Sequence, residues 1–298
     1  MTLINRYKNL VNFMKKMGLK RKLFKKINKR VLKIVRILLR ETEVNIDENK
    51  LFLDSLDSLD LSLNTDYESY ITKVIKKELK KGDIFLDLGA NIGFFTLIAA
   101  KIVGDTGKVY AFEPDTTNFN LLKKNIDYNH YKNIILVNKA VSDYEGQGEL
   151  YLSKDNFADH RTFYINNDRD KTKINIIKLD NFFTKWQKIN FIKMDIQGDE
   201  YKAFLGMLEL IKRSDNLKMV FEYYPEGIKQ RKQNVDEFLK QLYELFDVYL
   251  IRNKDVLKIT KQELDMLCPQ EFRKENEAVN LYCIKKEIIE KEIKNETN

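Results

Sequence analysis

Apolar and polar positions recur with two different periods along most of this chain. Short apolar runs bounded by turn formers predict strands near 84–88, 108–113, 134–137, 190–195 and 217–222. Between them apolar residues return every three or four positions, which predicts helices near 93–103, 117–128, 199–213 and 232–245. Strand alternating with helix argues for a parallel sheet covered on both faces, a doubly wound α/β fold. Two later runs, 248–251 and 278–284, are expected to close that sheet as an antiparallel pair. Residues 43–63 alternate loosely around Asp and Ser breaks and read as a hairpin-like lead-in. A helix over 66–81 should follow, with Asp66 as its cap and Tyr70, Val74, Ile75 and Leu79 on one face. Residues 148–180 read as an insertion with strand pieces at 149–152 and 174–177. The polar, turn-rich stretch 156–170 between those pieces is expected to be a lid.

Charge changes the picture at one end. The net charge is +8, yet residues 1–40 hold 14 Lys and Arg and no acid. Residues 41–298 therefore carry 39 bases against 45 acids, a net of −6. A nucleic-acid footprint would have to line the site itself, so nucleic acid is not the expected partner. In the basic arm, Phe24, Ile27, Val31, Ile34, Val35 and Leu38 share a helical face. Lys22, Lys25, Lys26, Lys29, Lys33 and Arg36 fall between them. Such a stripe suits a surface helix packed on the domain, an interfacial helix on anionic membrane, or an arm on RNA. No uncharged run approaches the roughly 20 residues of a membrane span. Cys268 and Cys283 form no Cys-x-x-Cys motif and have no His cluster, which fits a reducing, cytoplasmic compartment. Residues 287–298 form a charged tail.

The candidate chemistry begins at Ile84-Phe85-Leu86-Asp87-Leu88-Gly89-Ala90-Asn91-Ile92-Gly93-Phe94-Phe95-Thr96. This is a strand, a Gly-containing turn and a helix start. Val109-Tyr110-Ala111-Phe112-Glu113-Pro114 follows, a second strand ending on an acid. Open α/β sheets hold the adenosine half of a cofactor with such a unit. A dinucleotide fingerprint would need glycine at 89, 91 and 94, but 91 is Asn and 94 is Phe. Asp87 beside the turn would also repel a pyrophosphate. A cationic ligand without phosphate fits better, and S-adenosylmethionine has a sulfonium, an ammonium and a ribose diol. Asp87 would then lie near its amino-acid end, Gly89 and Gly93 would leave it room, and Glu113 would accept both ribose hydroxyls. The plainer reading is an ordinary turn whose glycines supply positive φ.

Four segments carry a resemblance. They are Asp87-Leu88-Gly89-Ala90-Asn91-Ile92-Gly93, Phe112-Glu113-Pro114, Lys178-Leu179-Asp180-Asn181-Phe182-Phe183 and Ile192-Lys193-Met194-Asp195-Ile196-Gln197-Gly198-Asp199-Glu200. In this order and spacing the chain resembles the FkbM-like methyltransferases, over about residues 43–286. The resemblance implies a Rossmann-like seven-stranded methyltransferase sheet over 41–286, mostly parallel with an antiparallel C-terminal strand. It also implies S-adenosylmethionine as cofactor and a hydroxyl of a saccharide, glycan or similar small molecule as methyl acceptor. By position Gly89, Ala90, Asn91 and Gly93 match the cofactor turn, Glu113 and Pro114 its ribose end, and Asn138 and Ala140 the adenine edge. Asp195 matches a position beside the methyl group and the methionine amine. The family usually has an acid where Gln197 stands and a small residue where Asp199 stands.

An alcohol is a weak nucleophile and needs a proton acceptor or a metal. Asp195 at the end of its strand, His160 in the lid and Glu222 before Tyr223-Tyr224-Pro225 are the candidate bases. His130 lies in a helix-to-strand turn and reads as structural. Asp195, Gln197 and Glu222 could offer a metal hard oxygen ligands, but nothing in their spacing demands one, and none is expected. Three rivals remain: a nicotinamide-dependent sugar oxidoreductase, a membrane-peripheral adaptor that keeps the fold without the chemistry, and a nucleic-acid methyltransferase, which the net charge of residues 41–298 disfavours. Asp87, Glu113 and Asp195 together argue against the adaptor, which needs none of them.

Overall fold

Loose alternation at the start of the domain resolves into β1 (Glu43–Ile46) and β2 (Asn49–Phe52), an antiparallel hairpin. The computed structural model describes residues 42–62, 67–164, 169–252, 255–271 and 278–287, with the side chains of 268–271 left aside. The arm 1–40, Asp66, the Cys268 side chain and nearly all of the charged tail lie outside those residues. The expected helix is α1 (Ser69–Glu78), with Ile71, Val74 and Ile75 buried. It is followed by β3 (Ile84–Leu88), α2 (Phe94–Val103), β4 (Lys108–Phe112), α3 (Thr116–Tyr128) and β5 (Ile134–Val137). The insertion supplies β6 (Ala140–Val141), β7 (Gly146–Leu152) and β8 (Asp170–Ile177), after which come α4 (Leu179–Phe182) and β9 (Phe191–Met194). The rest is α5 (Glu200–Leu205), α6 (Leu208–Arg213), β10 (Lys218–Tyr223), α7 (Pro225–Gln230) and α8 (Val235–Leu245). The chain closes with β11 (Phe246–Arg252), β12 (Asp255–Lys258), α9 (Lys261–Glu271) and β13 (Val279–Lys285).

The main sheet runs β12-β11-β13-β10-β9-β3-β4-β5. Strands β10, β9, β3, β4 and β5 pair in parallel, and β13 runs antiparallel between β10 and β11. This is the expected mostly parallel sheet with an antiparallel C-terminal strand, extended by one edge strand. The extra strand β12 is exposed at every position, so its residues carry no apolar alternation by which to read it. Helix α2 is buried on almost every face, which explains why its sequence is apolar all round. It packs in one core layer with Phe85, Val109 and Leu122, while Phe204, Phe221 and Phe238 fill the other.

Two expected helices differ in their bounds. The 199–213 helix divides into α5 and α6 at Gly206, where an added Cβ would stand 2.0 Å from the Ser142 carbonyl oxygen. Asp180 caps the second piece, accepting hydrogen bonds from the N–H of Leu210 (2.8 Å) and Glu209 (3.3 Å). The expected 232–245 helix starts at Val235, where Asn234 accepts from the N–H of Asp236 and Glu237. Strands β6, β8 and β7 form a separate three-stranded sheet. The chain leaves β3 toward β4 on one side and returns to β9 on the other, so a crevice opens at the C-terminal ends of β3, β4 and β9.

Candidate active site

The turn after β3 is tight because the backbone around it leaves no room. Gly89 has φ 80°, and an added Cβ would meet the Asp195 carbonyl oxygen at 2.0 Å. Gly93 has φ 99°, and its Cβ would meet Leu122 at 2.6 Å. What these two glycines make way for is therefore the protein itself, a correction to the expectation that they clear space for a ligand. Gly89, Ala90 and Asn91 still line the main cavity, whereas Gly93 caps α2 beneath it. Asn91 adopts φ 49°, which turns its N–H toward the end of β4.

There the N–H of Asn91 donates to Glu113 Oε2 (2.9 Å), and the N–H of Asp115 donates to Oε1 (2.9 Å). Glu113 is 5% exposed. Burial pushes its carboxyl up to about 7, against the pull of those two backbone donors. Each oxygen keeps a lone pair, and among the described residues no side-chain cation pairs with either. A vicinal diol, which offers two hydroxyl donors, fits that vacancy of partners. Pro114 and Ala140 also line the cavity, as do Lys139 and Val141. Asn138 does not: its amide donates to the carbonyls of Glu113 (2.8 Å) and Pro114 (3.2 Å), so it braces the loop and does not touch the expected adenine edge directly.

A charged cluster sits where β3, β9 and β10 end. Asp87 is 1% exposed and does not reach the cavity lining; Oδ2 takes the Thr96 hydroxyl at 2.5 Å. Lys193 fills the gap between acids, 3.9 Å from Asp87 and 3.5 Å from Asp195. Burial alone would lower the Lys193 ammonium, but Asp195, Asp87 and Glu68 together hold it above the usual range. Asp195 lines the cavity, and Oδ1 accepts from the Gln197 amide at 2.8 Å. The same amide nitrogen donates to Glu222 Oε2 at 3.2 Å. Reversing the amide would set an oxygen against the Asp195 carboxylate at 2.8 Å, so electrostatics favours this orientation. Glu222 reaches the cavity only through Gln197. Burial, then the charge of Asp195, pushes its carboxyl up to about 9. Glu68, raised to about 7 by burial and Asp195, leaves Oε2 without a hydrogen-bond partner among the described residues.

The stretch expected to be a lid packs on the turn after β3, on α3 and on Ser58. The Phe157 carbonyl accepts from Asn118 (3.0 Å) and Asn91 (3.5 Å), and the Phe157 N–H donates to Ser58 (2.9 Å). Tyr151 and Arg161 exchange backbone hydrogen bonds, which anchors the lid to β7. Arg161 donates to Asp159 at 2.8 Å, and Arg169 reaches the other Asp159 oxygen at 2.6 Å. His160 lines the cavity, but Nδ1 accepts the Ser153 N–H at 3.0 Å, and burial lowers its pKa. The neutral ring thus carries its proton on Nε2. His160 is placed as a hydrogen-bond donor, a correction to its expected role as base. His130 sits with φ 59° in the turn that ends α3, as expected.

Three contributors escape the sequence pattern. Lys193 stands inside an apolar run, Phe191-Ile192-Lys193-Met194, and that lone charge was a legible signal. Tyr67 enters the cavity before α1, edge-on to Phe94 at 5.2 Å. Arg231, after α7, donates to Asp199 from Nε at 2.6 Å and to Thr162 from Nη2 at 3.1 Å. No local pattern marks it. Among the described residues no cluster of three His, Cys, Asp or Glu side chains has the arrangement of a metal site. No described helix is long and apolar enough to cross a membrane.

The Methyltransferase FkbM domain matches residues 87–248, more than half of the chain. Uncharacterized protein MJ1452 of Methanocaldococcus jannaschii is 28% identical over 209 residues, covering 70% of this chain and 71% of that protein. A solved methyltransferase FkbM from Methylobacillus flagellatus superposes with a TM-score of 0.41 at 16% identity, over 67% of this chain and 43% of that one. TYW2 of M. jannaschii, solved with AdoMet, gives 0.44 at 17% identity, over 83% and 88%.

Proposed function

The chain belongs to the FkbM methyltransferase family and is an S-adenosylmethionine-dependent methyltransferase, and from that premise we propose that it methylates a hydroxyl of a saccharide or similar polyhydroxylated small molecule. The observation that carries this reading is the mixed wall of the cavity. Tyr67 and Phe94 stand beside His160, Thr162, Asp195 and Gln197. Rings suit the apolar face of a sugar, and the polar groups suit its hydroxyl rim. The net charge of −6 over residues 41–298 disfavours a polyanionic acceptor.

Glu113, the turn at Gly89, Ala90 and Asn91, Pro114 and Ala140 are the residues that would hold the cofactor. S-adenosylmethionine supplies an electrophilic methyl on a sulfonium, which departs as a neutral thioether. Asp195 is the proton acceptor for the incoming hydroxyl, oriented by Lys193 and Gln197, which donate to its two oxygens. His160 offers Nε2–H to an oxygen of the acceptor. The lid excludes water once closed. Residues 1–40 lend this chain a peripheral membrane placement through their basic stripe; equal sedimentation with neutral and anionic vesicles would remove it.

Purified protein with S-adenosylmethionine and a panel of glycosides, nucleotide sugars, primary amines and RNA should release S-adenosylhomocysteine with the hydroxylic small molecules. Asp195→Asn should lower that turnover by about 10² or more. Release confined to the amines or to RNA would overturn the reading.

A further inference from the structure

Asp199, one of the two positions at which this chain departs from the family's usual residues, stands in the cavity wall. It is 3% exposed, and its carboxyl is raised by burial against the pull of Arg231. Arginine and carboxylate frequently pair through both oxygens on the guanidinium fork. Here both Arg231 donors, Nε at 2.6 Å and Nη2, go to Oδ1. Although Asp199 precedes α5, its side chain caps no helix N–H. Oδ2 accepts no hydrogen bond from any described residue, in a side chain that lines the cavity. Thr162, also in the wall, accepts from Arg231 through its hydroxyl oxygen and so keeps its own O–H to donate.

The surroundings fix this arrangement. Gly198 takes φ 104°, which strains any other residue, and a Cβ there would lie 3.0 Å from the Phe163 ring. Phe163 in turn lies under the guanidinium groups of Arg231 (5.2 Å) and Arg161 (5.9 Å). The lid end and the loop after β9 are thus joined through one arginine. The result is a rigid acceptor, Asp199 Oδ2, beside a hydroxyl donor, Thr162.

Resting on the hydroxylic reading above, we infer that Asp199 Oδ2 recognises the methyl acceptor by taking a hydrogen bond from one of its hydroxyls. Arg231 is the positioning residue that orients it. A site built to accept a hydroxyl proton rejects a ligand that cannot supply it, because a buried oxygen is left unpaired.

Asp199→Asn is the sharpest variant, because it keeps an oxygen for Arg231 and turns an amide donor toward the cavity. The probe is a panel of methyl glycosides and their amino-sugar counterparts, titrated by saturation-transfer NMR into protein loaded with S-adenosylhomocysteine. Glycoside affinity should fall at least tenfold in Asp199→Asn, while affinity for S-adenosylhomocysteine holds. Arg231→Lys should recover more of the loss than Arg231→Gln. With any glycoside that turns over, KM should rise more than kcat falls. Thr162→Val, which leaves the ion pair in place, should also weaken binding and serves if Asp199→Asn does not fold. Equal glycoside affinity in wild type and variants overturns the inference and leaves the hydroxylic reading standing. Binding of amino sugars alone, lost in Asp199→Asn, keeps Asp199 as the recognition point and overturns the hydroxylic reading. No binding by any panel member overturns both.

Discussion

The side of the cavity we propose for the cofactor and the side we propose for the acceptor are held by different kinds of bond. On the cofactor side, Glu113 is fixed by backbone N–H groups of Asn91 and Asp115. Asn138 braces the same loop through two carbonyls. On the acceptor side, side chains hold side chains across long stretches of sequence, as Arg231 holds Asp199 and Thr162. Backbone-held geometry depends on dihedral angles and survives most side-chain changes. Geometry held by side chains can change one residue at a time. A shared cofactor and a variable acceptor would call for that division.

The largest effect should come from breaking the backbone-held side at its tightest point. Gly89→Ala sets a Cβ against the Asp195 carbonyl and demands φ 80° of an alanine. We expect a loss of at least about 2 kcal/mol, read as a fall in Tm. Because the clash is with the loop that carries Asp195, cofactor affinity should drop with it. A variant that melts like wild type would show that the turn yields, and that the rigidity contrasted above is absent.

Next comes Glu113→Ala, which should weaken S-adenosylmethionine binding at least tenfold, about 1.4 kcal/mol, by titration calorimetry. Tm should fall as well, by about 1 kcal/mol of stability, since the Asn91 N–H it releases lies at the cavity but the Asp115 N–H is left buried without a partner. Unchanged affinity would remove Glu113 as the diol partner and with it half of the comparison.

The same contrast explains what could be read from sequence. The turn at 89–93, Glu113 and the strands flanking them follow from short-range patterns: apolar runs, an acid at a strand end, glycines where φ is positive. Asp195 was legible for the same reason. Lys193 could have been found, since a charge inside a buried strand needs partners. Arg231 could not, because its partners lie 32 and 69 residues away and nothing local requires a guanidinium there. His160 was found by residue type but misjudged in role, because its chemistry turns on which nitrogen faces the Ser153 N–H. Gly206 divided an expected helix because of a contact with Ser142, a partner from a different element.

The lid offers a milder test. Asn118 and Asn91 both donate to the Phe157 carbonyl, Asn118 at the shorter distance. Asn118→Ala should cost about 1 kcal/mol and raise hydrogen exchange of residues 156–160, with exchange in β3 and β4 unchanged. Uniform change across the domain would mean that the lid does not open on its own, and that the two sides form one cooperative unit.

The smallest effect concerns the acids behind Gln197. Glu222 keeps its proton in the folded protein up to about 9, through burial and the charge of Asp195, whereas an unfolded glutamate loses it near 4.3. Between these values the folded state binds more protons than the unfolded one, so stability falls as pH rises. Glu113 and Glu68, raised to about 7, and Glu200, raised to about 8, act in the same direction. The protein without ligand should therefore melt lower at pH 8 than at pH 6. Glu222→Gln should shrink that gap by an amount on the order of 1 kcal/mol, since a half-buried group is partly screened by solvent. S-adenosylmethionine, which is cationic, should stabilise more at pH 8 than at pH 6, because deprotonated acids receive it. An equal gap in the variant would assign the pH dependence to the backbone-held Glu113 or to Glu200, and would leave the acids nearest Asp195 without influence on the charge of the site.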